Sequence, residues 1–273
     1  MVMSYLSRES SPLSAELWQQ IDAAVVETAR GTLTGRRFLH LVGPLGIGAG
    51  AVPVDDATAL SEAVRDGIVT TQGRRYVELP LLYEDATLLA RDLERAAAAS
   101  VAPDLGAVRS AARALAQKED RLVFMGNPEL GYEGLATAQG VNTLERKDWS
   151  AGENAFADVA YGIEVLLQKG VSGEYALAVS PDLALQMQRL QPGTGLLEAD
   201  RVARLVGGHV VVAPALGRGR AVLVCANPEN MDLVVGQDMA TAFLEQSGLN
   251  SSLRVLETVL LRIKHREAIV VLG

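Results

Sequence analysis

The residues able to do chemistry are few and scattered. Histidine occurs at positions 40, 209 and 265 only, and Cys225 is the single cysteine. His40, His209 and His265 form no H-x-x-x-H run and no Cys/His cluster, so a zinc site of ordinary ligand spacing is not written here. His265 falls in a strand-like basic stretch and reads as a surface histidine. A dispersed Ser-His-Asp triad is left open, because its members need not be neighbours in sequence, but no G-x-S-x-G elbow exists to present a serine. Gly46, Gly48 and Ala51 fit G-x-G-x-x-A, which cradles a pyrophosphate when it opens a helix. Here Pro44 and Pro53 bracket the glycines and the sequence after them is extended, so a Gly/Pro hinge is the better reading. Three carboxylate pairs stand out: Asp55 with Asp56, Glu84 with Asp85, and Glu119 with Asp120. Adjacent side chains do not share a helix face, so all three read as solvated charge rather than as acid/base pairs. No catalytic, cofactor-binding or metal-binding residue is assigned.

Those residues sit in 273 positions of ordinary globular composition, 49% hydrophobic and 21% charged, with a net charge of −8. The acidic balance argues against a general nucleic-acid binder, since neutralising phosphates needs a basic surface. One cysteine excludes a disulfide-stapled fold and favours a reducing compartment. Residues 1–13 lack the apolar core of a secretory signal, and no apolar run is long enough to span a bilayer. The expectation is a soluble cytoplasmic protein with no membrane partner.

The elements follow from periodicity. A helix is predicted over residues 14–30, capped by Ser14, with Leu17, Ile21, Ala24, Val25 and Thr28 as its apolar stripe and Trp18 and Val26 beside it. Residues 32–42 read as a strand. Residues 46–76 carry no core pattern, which is too long for an ordinary connection. They read as an extended arm, a β-hairpin ordered by lying on another subunit. A strand over 76–83 and a helix over 84–99 follow. The clearest helix runs over 104–125, with Val108, Ala112, Leu115 and Leu122 on one side. A further helix is predicted over 153–169 with Val159, Ile163, Leu166 and Leu167 inward. Pro181 opens another. Strands at 175–180, 209–213, 221–226, 232–235, 240–244, 253–265 and 268–272 complete the chain. Helices and strands mix without βαβ regularity, so the class is α+β.

Several short motifs, taken in order, resemble the encapsulin shell-protein family. They are Pro12 and Leu13 ahead of the Trp18 helix, Gly35-Arg36-Arg37, Gly43-Pro44, residues 119–126, residues 131–135, Gly236-Gln237-Asp238 and residues 254–265. The resemblance implies the tailed-phage major-capsid fold. Its peripheral P-domain would take residues 1–45, 77–130 and 229–273, its E-loop 46–76 and its A-domain 131–228. It also implies an icosahedral homo-oligomer built from a multiple of sixty subunits. That cage encloses cargo such as a ferritin-like iron-storage protein or a dye-decolourising peroxidase, held by a C-terminal targeting peptide. Some relatives stack a flavin on a tryptophan in the segment matching 83–91; this chain has none there, so no cofactor is expected.

The family's cargo groove corresponds to Val25, Ala29, Leu33, Arg36, Leu39 and Met239, with Phe38 assigned to the core. Its five-fold pore loop corresponds to Gln191, Pro192, Gly193, Thr194 and Gly195. Three other readings remain open at this point: a phage or prophage capsid subunit, a nucleotide-dependent enzyme or hydrolase, and a monomeric binding domain.

Overall fold

The computed structural model describes residues 5–54, 60–191 and 193–273, so Asp55, Asp56 and Pro192 lie outside the described residues. Helix α1 spans Ala15–Thr32, and the Ser14 hydroxyl accepts the Leu17 amide at 3.2 Å. Its buried face is Trp18, Ile21, Ala24, Val25 and Ala29. The face is thus turned from Leu17 and Thr28 toward Trp18. The Arg8 guanidinium covers the Trp18 ring at 4.6 Å and is itself held by both Asp22 oxygens at 2.7 Å.

The expected strand over residues 32–42 is not formed. The chain makes a single helical turn at Gly35–Arg37 and then only a two-residue strand, β1 (Leu41–Val42). The cause is Asp120, buried, whose carboxylate accepts the Thr34 and Gly35 amides at 2.9–3.0 Å. A carboxylate aimed at two successive amides fixes a turn and removes those donors from any ladder.

The arm consists of β2 (Ala51–Pro53), β3 (Ser61–Arg65), β4 (Ile68–Gln72) and β5 (Tyr76–Glu78). β2 pairs with β5, and β3 with β4 as a hairpin. Asp66 and Gly67, at φ 52° and 75°, supply the two left-handed residues its tight turn needs. Val64, Ile68 and Val69 on this hairpin are 57–70% exposed.

Next come β6 (Leu81–Leu88) and α2 (Ala90–Ala99). Residues 84–88 are therefore strand, not helix: they lie antiparallel to residues 251–255, and that pairing overrides their local preference. Helix α3 (Gly106–Met125) packs Val108, Ala111, Ala112 and Leu115 against α1. Its alanines let the two axes approach closely. Gly126, at φ 65°, ends it; a Cβ there would collide with the Tyr132 carbonyl.

The remaining elements are β7 (Asn142–Leu144), α4 (Asn154–Gln168), β8 (Tyr175–Val179), α5 (Pro181–Gln186), α6 (Glu198–Leu205), β9 (Val210–Val212), β10 (Ala221–Cys225), β11 (Met231–Val235), β12 (Ala240–Ser247), β13 (Asn250–Ile263) and β14 (Ile269–Leu272). Pro181 is indeed the first residue of its helix. On α4 the inward residues are Ala155, Asp158, Val159, Gly162 and Leu166; Leu167 faces solvent, contrary to the sequence reading.

Two larger sheets organise these parts. In one, β13 is the axis: its first half lies between β6 and β12, and its second half pairs with β11, which pairs with β1. The other runs β7-β14-β10-β8-β9. The larger core surrounds this second sheet, with α4 and the end of α3 against it. A second core joins α1, α3, β6 and β13. The class is α+β, as the sequence predicts.

Candidate functional site

Between the end of α1 and the start of β12 lies an open groove of about 400 Å³. Its walls are Val26, Ala29, Arg30, Leu33, Arg36, Arg37, Asp238 and Met239. Helix α1 supplies Val26, Ala29 and Arg30, and the Leu33 amide still bonds back to the Ala29 carbonyl at 2.8 Å. The tight turn forced by Asp120 then swings Arg36 inward, while the Arg37 guanidinium folds back onto the Leu33 carbonyl at 3.0 Å. The opposite wall is the 236–239 loop. The Gly236 amide donates to the Thr258 carbonyl at 2.8 Å, and the Gln237 amide to the Thr258 hydroxyl at 2.7 Å. Met239 is set by its amide, which donates to Asp238 Oδ1 at 2.9 Å.

Arg36 ties the two walls together. Its guanidinium reaches Glu119 on α3 at 2.7 Å, Glu257 on β13 at 2.9 Å and Asp238 on the loop at 2.6 Å. Both glutamate side chains are fully buried, whereas that of Asp238 is 60% exposed. Burial drives the carboxyls of Glu119 and Glu257 above the usual carboxylate range, and the contact between them adds to the rise at Glu257. The Asp120 carboxyl is raised as well, again by burial, with its two backbone donors pulling the other way.

Of the residues anticipated for the groove, Ala29, Leu33, Arg36 and Met239 meet there. Val25 and Leu39 do not line it. Val25 faces α3 in the second core, and Leu39 is buried with Phe124 in the larger one. Phe38 also packs on that core, its ring 6.1 Å from that of Phe124. The one-turn helix sends Leu39 inward, which an alternating strand would have sent to the groove.

Val26, Arg30, Arg37 and Asp238 are groove residues that the sequence reading missed. It also treated Glu119 and Asp120 as solvated, and passed over Glu257. The signal was present: Glu119 occupies the stripe position between Leu115 and Leu122, and Glu257 falls in the register of the buried Leu253, Val255, Val259 and Leu261. A charge at a core position announces a buried partner.

The 191–195 loop is a separate place. The Gln191 side chain is buried and donates to the Gly152 carbonyl at 2.9 Å. Thr194 bonds back to the Gln191 carbonyl through amide and hydroxyl, at 3.2 and 3.1 Å. Gly193, Thr194 and Gly195 are exposed, the two glycines at φ 79° and 67°. Behind them buried Glu198 accepts the Ala155 and Phe156 amides at the start of α4 and is paired with Arg189 at 2.7 Å. The three histidines are exposed, with His265 beyond the end of β13. Among the described residues no group of three or more His, Cys, Asp or Glu side chains is placed to hold a metal ion. Nor is any helix among them long and apolar enough to cross a membrane.

The fold has clear parallels among solved structures. It is similar to the virus-like particle of Pyrococcus furiosus, with a TM-score of 0.77 at 20% identity over 95% of this chain and 100% of that one. It is also similar to the capsid of Myoviridae phage XM1, with a TM-score of 0.60 at 13% identity over 87% and 90%. The architecture is thus that of capsid-type shell subunits. In sequence the chain is 37% identical to the type 1 encapsulin shell protein EncA of Myxococcus xanthus, over 97% of this chain and 95% of that protein. It is 36% identical to a diheme-cytochrome-encapsulin shell fusion protein of Kuenenia stuttgartiensis, over 94% and 72%. The model of the Linocin_M18 family, described as encapsulating protein for peroxidase, matches residues 3–260. The chain belongs to this family, the encapsulin shell proteins.

Proposed function

We propose that the protein is a structural, non-enzymatic subunit that closes with copies of itself into an icosahedral cytoplasmic cage and encloses a cargo enzyme. The observation that carries this is the arm. Residues of β3 and β4 form a hairpin whose Val64, Ile68 and Val69 meet no core of their own chain. A neighbouring copy gives those side chains a surface, and closed symmetry leaves no unpaired edge. On this reading residues 1–45, 77–130 and 229–273 form the peripheral body, 131–228 the vertex-proximal part with Gly193, Thr194 and Gly195 near the five-fold axis, and 46–76 the linking loop.

The groove beside Arg36 is the cargo site in this proposal, taking an extended C-terminal targeting peptide. Ala29, Leu33 and Met239 offer apolar pockets, and the adaptable thioether of Met239 suits a site that moulds to its ligand. Cargo of the ferritin-like or peroxidase kind is in keeping with the relatives, one of which, from Pyrococcus furiosus, is a ferritin-like-encapsulin shell fusion protein. Negative-stain microscopy of the purified chain is the test: uniform hollow particles are expected. Deletion of residues 50–72 is expected to abolish the particles while far-ultraviolet circular dichroism still reports the helices. Small discrete oligomers from the intact chain, or particles from the deletion variant, overturn the reading.

A further inference from the structure

Two fully buried glutamates converge on one guanidinium nitrogen. Arg36 Nη2 donates to Glu119 Oε2 at 2.7 Å and to Glu257 Oε2 at 2.9 Å. Arg36 Nε adds bonds to both Glu119 oxygens, at 2.8 and 3.1 Å, so Glu119 takes most of the guanidinium. Glu257 Oε1 is buried and no donor among the described residues reaches it. A buried oxygen with no protein donor is a poor seat for negative charge. Asp238 claims the third edge of Arg36 from the groove side.

The charges do not balance. From α3 come Glu119 and Asp120; from β13, Glu257; from the 236–239 loop, Asp238; from the turn after α1, Arg36 and Arg37. Asp120 is satisfied by the Thr34 and Gly35 amides, and Arg37 lies near it. Leu82 on β6 stands opposite Glu257, and Met239 beside Asp238 is apolar, so neither supplies a cation. Among the described residues Arg36 is thus the one cation set against three carboxylates, two of them buried. Two buried carboxylates in contact cannot both ionise cheaply; one proton between them removes the conflict.

We propose that Glu119 and Glu257 hold a single shared proton that locks Arg36, and through Asp238 the Met239 wall, so that the groove loosens when this proton leaves. With the proton present, Glu257 bridges to Glu119 and Arg36 is free to bond Asp238. Without it, Glu257 competes for Arg36 and repels Glu119, and the exposed partner, Asp238, is the one that can leave for water. Loss of that bond frees the Met239 amide partner and the loop with it. The lock rests on the cargo-groove reading only for its biological use, and it is measurable on empty shells.

The test uses assembled shells without cargo. Infrared spectra at neutral pH are expected to show the carbonyl band of a protonated carboxyl, lost in Glu257→Gln. Hydrogen exchange of residues 34–39 and 236–241, corrected for intrinsic rates, is expected to lose protection as pH rises past the shared titration. The expected slope is about tenfold per pH unit, the signature of one proton. Glu257→Gln, which cannot ionise, is expected to be flat, and so is Glu119→Gln, which leaves one buried carboxylate for one guanidinium. The second variant keeps the test open if the first fails to fold. Absence of the carboxyl band, or equal slopes in wild type and a folded Gln variant, overturns the proposal. Cargo loading is read separately. Shells that show the proton step but never load cargo refute the groove reading alone; shells that load cargo without any proton step refute the lock alone.

Discussion

Arg36 is a side chain on which several elements depend at once. It joins the turn after α1 to α3, β13 and the 236–239 loop, and its removal leaves two buried glutamates with no cation. Arg36→Ala is expected to cost about 3–5 kcal/mol, the usual penalty for orphaning buried charge. Arg36→Lys should recover little, because an ammonium cannot reproduce the planar fork that serves three carboxylates. The cost should also depend on pH in a definite direction. The folded carboxyls of Glu119 and Glu257 lie above their unfolded values. Their favourable contribution is complete below the unfolded carboxylate range and is lost as pH rises through the folded values. Denaturant midpoints for Arg36→Ala should therefore lie nearer wild type in mild acid than at pH 8. A deficit that shrinks with rising pH would contradict the buried arrangement.

The groove is made by elements rather than by any single residue, and its best probe is a change that spares the core. Leu33 is only 6% exposed, so Leu33→Asp tests packing and binding together. Val26 lines the same groove but is 43% exposed, so Val26→Asp leaves α1 folded. Co-expressed with a reporter protein that carries a candidate C-terminal targeting peptide, Val26→Asp is expected to give intact shells holding about tenfold less cargo, the scale of losing one apolar contact of about 1.5 kcal/mol, whereas Leu33→Asp is expected to lower assembly and loading together. Normal loading by Val26→Asp places the site elsewhere.

The same scale shows what a sequence makes legible. Helices α1, α3 and α4 were readable because a 3.6-residue stripe is a local fact, joined at α1 by the Ser14 cap. Residues 84–88 and 32–42 were not, because distant partners decide them: the first five lie on β13, and the second stretch is turned by Asp120 from α3. For the groove, Ala29, Leu33, Arg36 and Met239 could be named from family resemblance. Val25 and Leu39 were misplaced because a rotation of the helix face and an unforeseen turn changed which way each points.

At the scale of the whole molecule, the chain's organisation suits a part that is repeated. Gly193, Thr194 and Gly195 extend from a base fixed by Gln191 and Glu198, so a change at the tip should not reach the core. Thr194→Trp is expected to leave assembly intact and slow the entry of a small chromogenic substrate into shells loaded with a reporter enzyme. An unchanged entry rate would make the loop an ordinary surface turn.

Strand β13 adds one more consequence. Its 14 residues pass from the sheet shared with β6 and β12 to the pairing with β11, bonded along both edges for much of that length. Load applied along such a strand is met by many bonds in parallel shear, none of which can be peeled open first. β13 is the tie-rod of the subunit: strain pulling the chain apart would be taken up by the exposed β3–β4 hairpin before this member gave way.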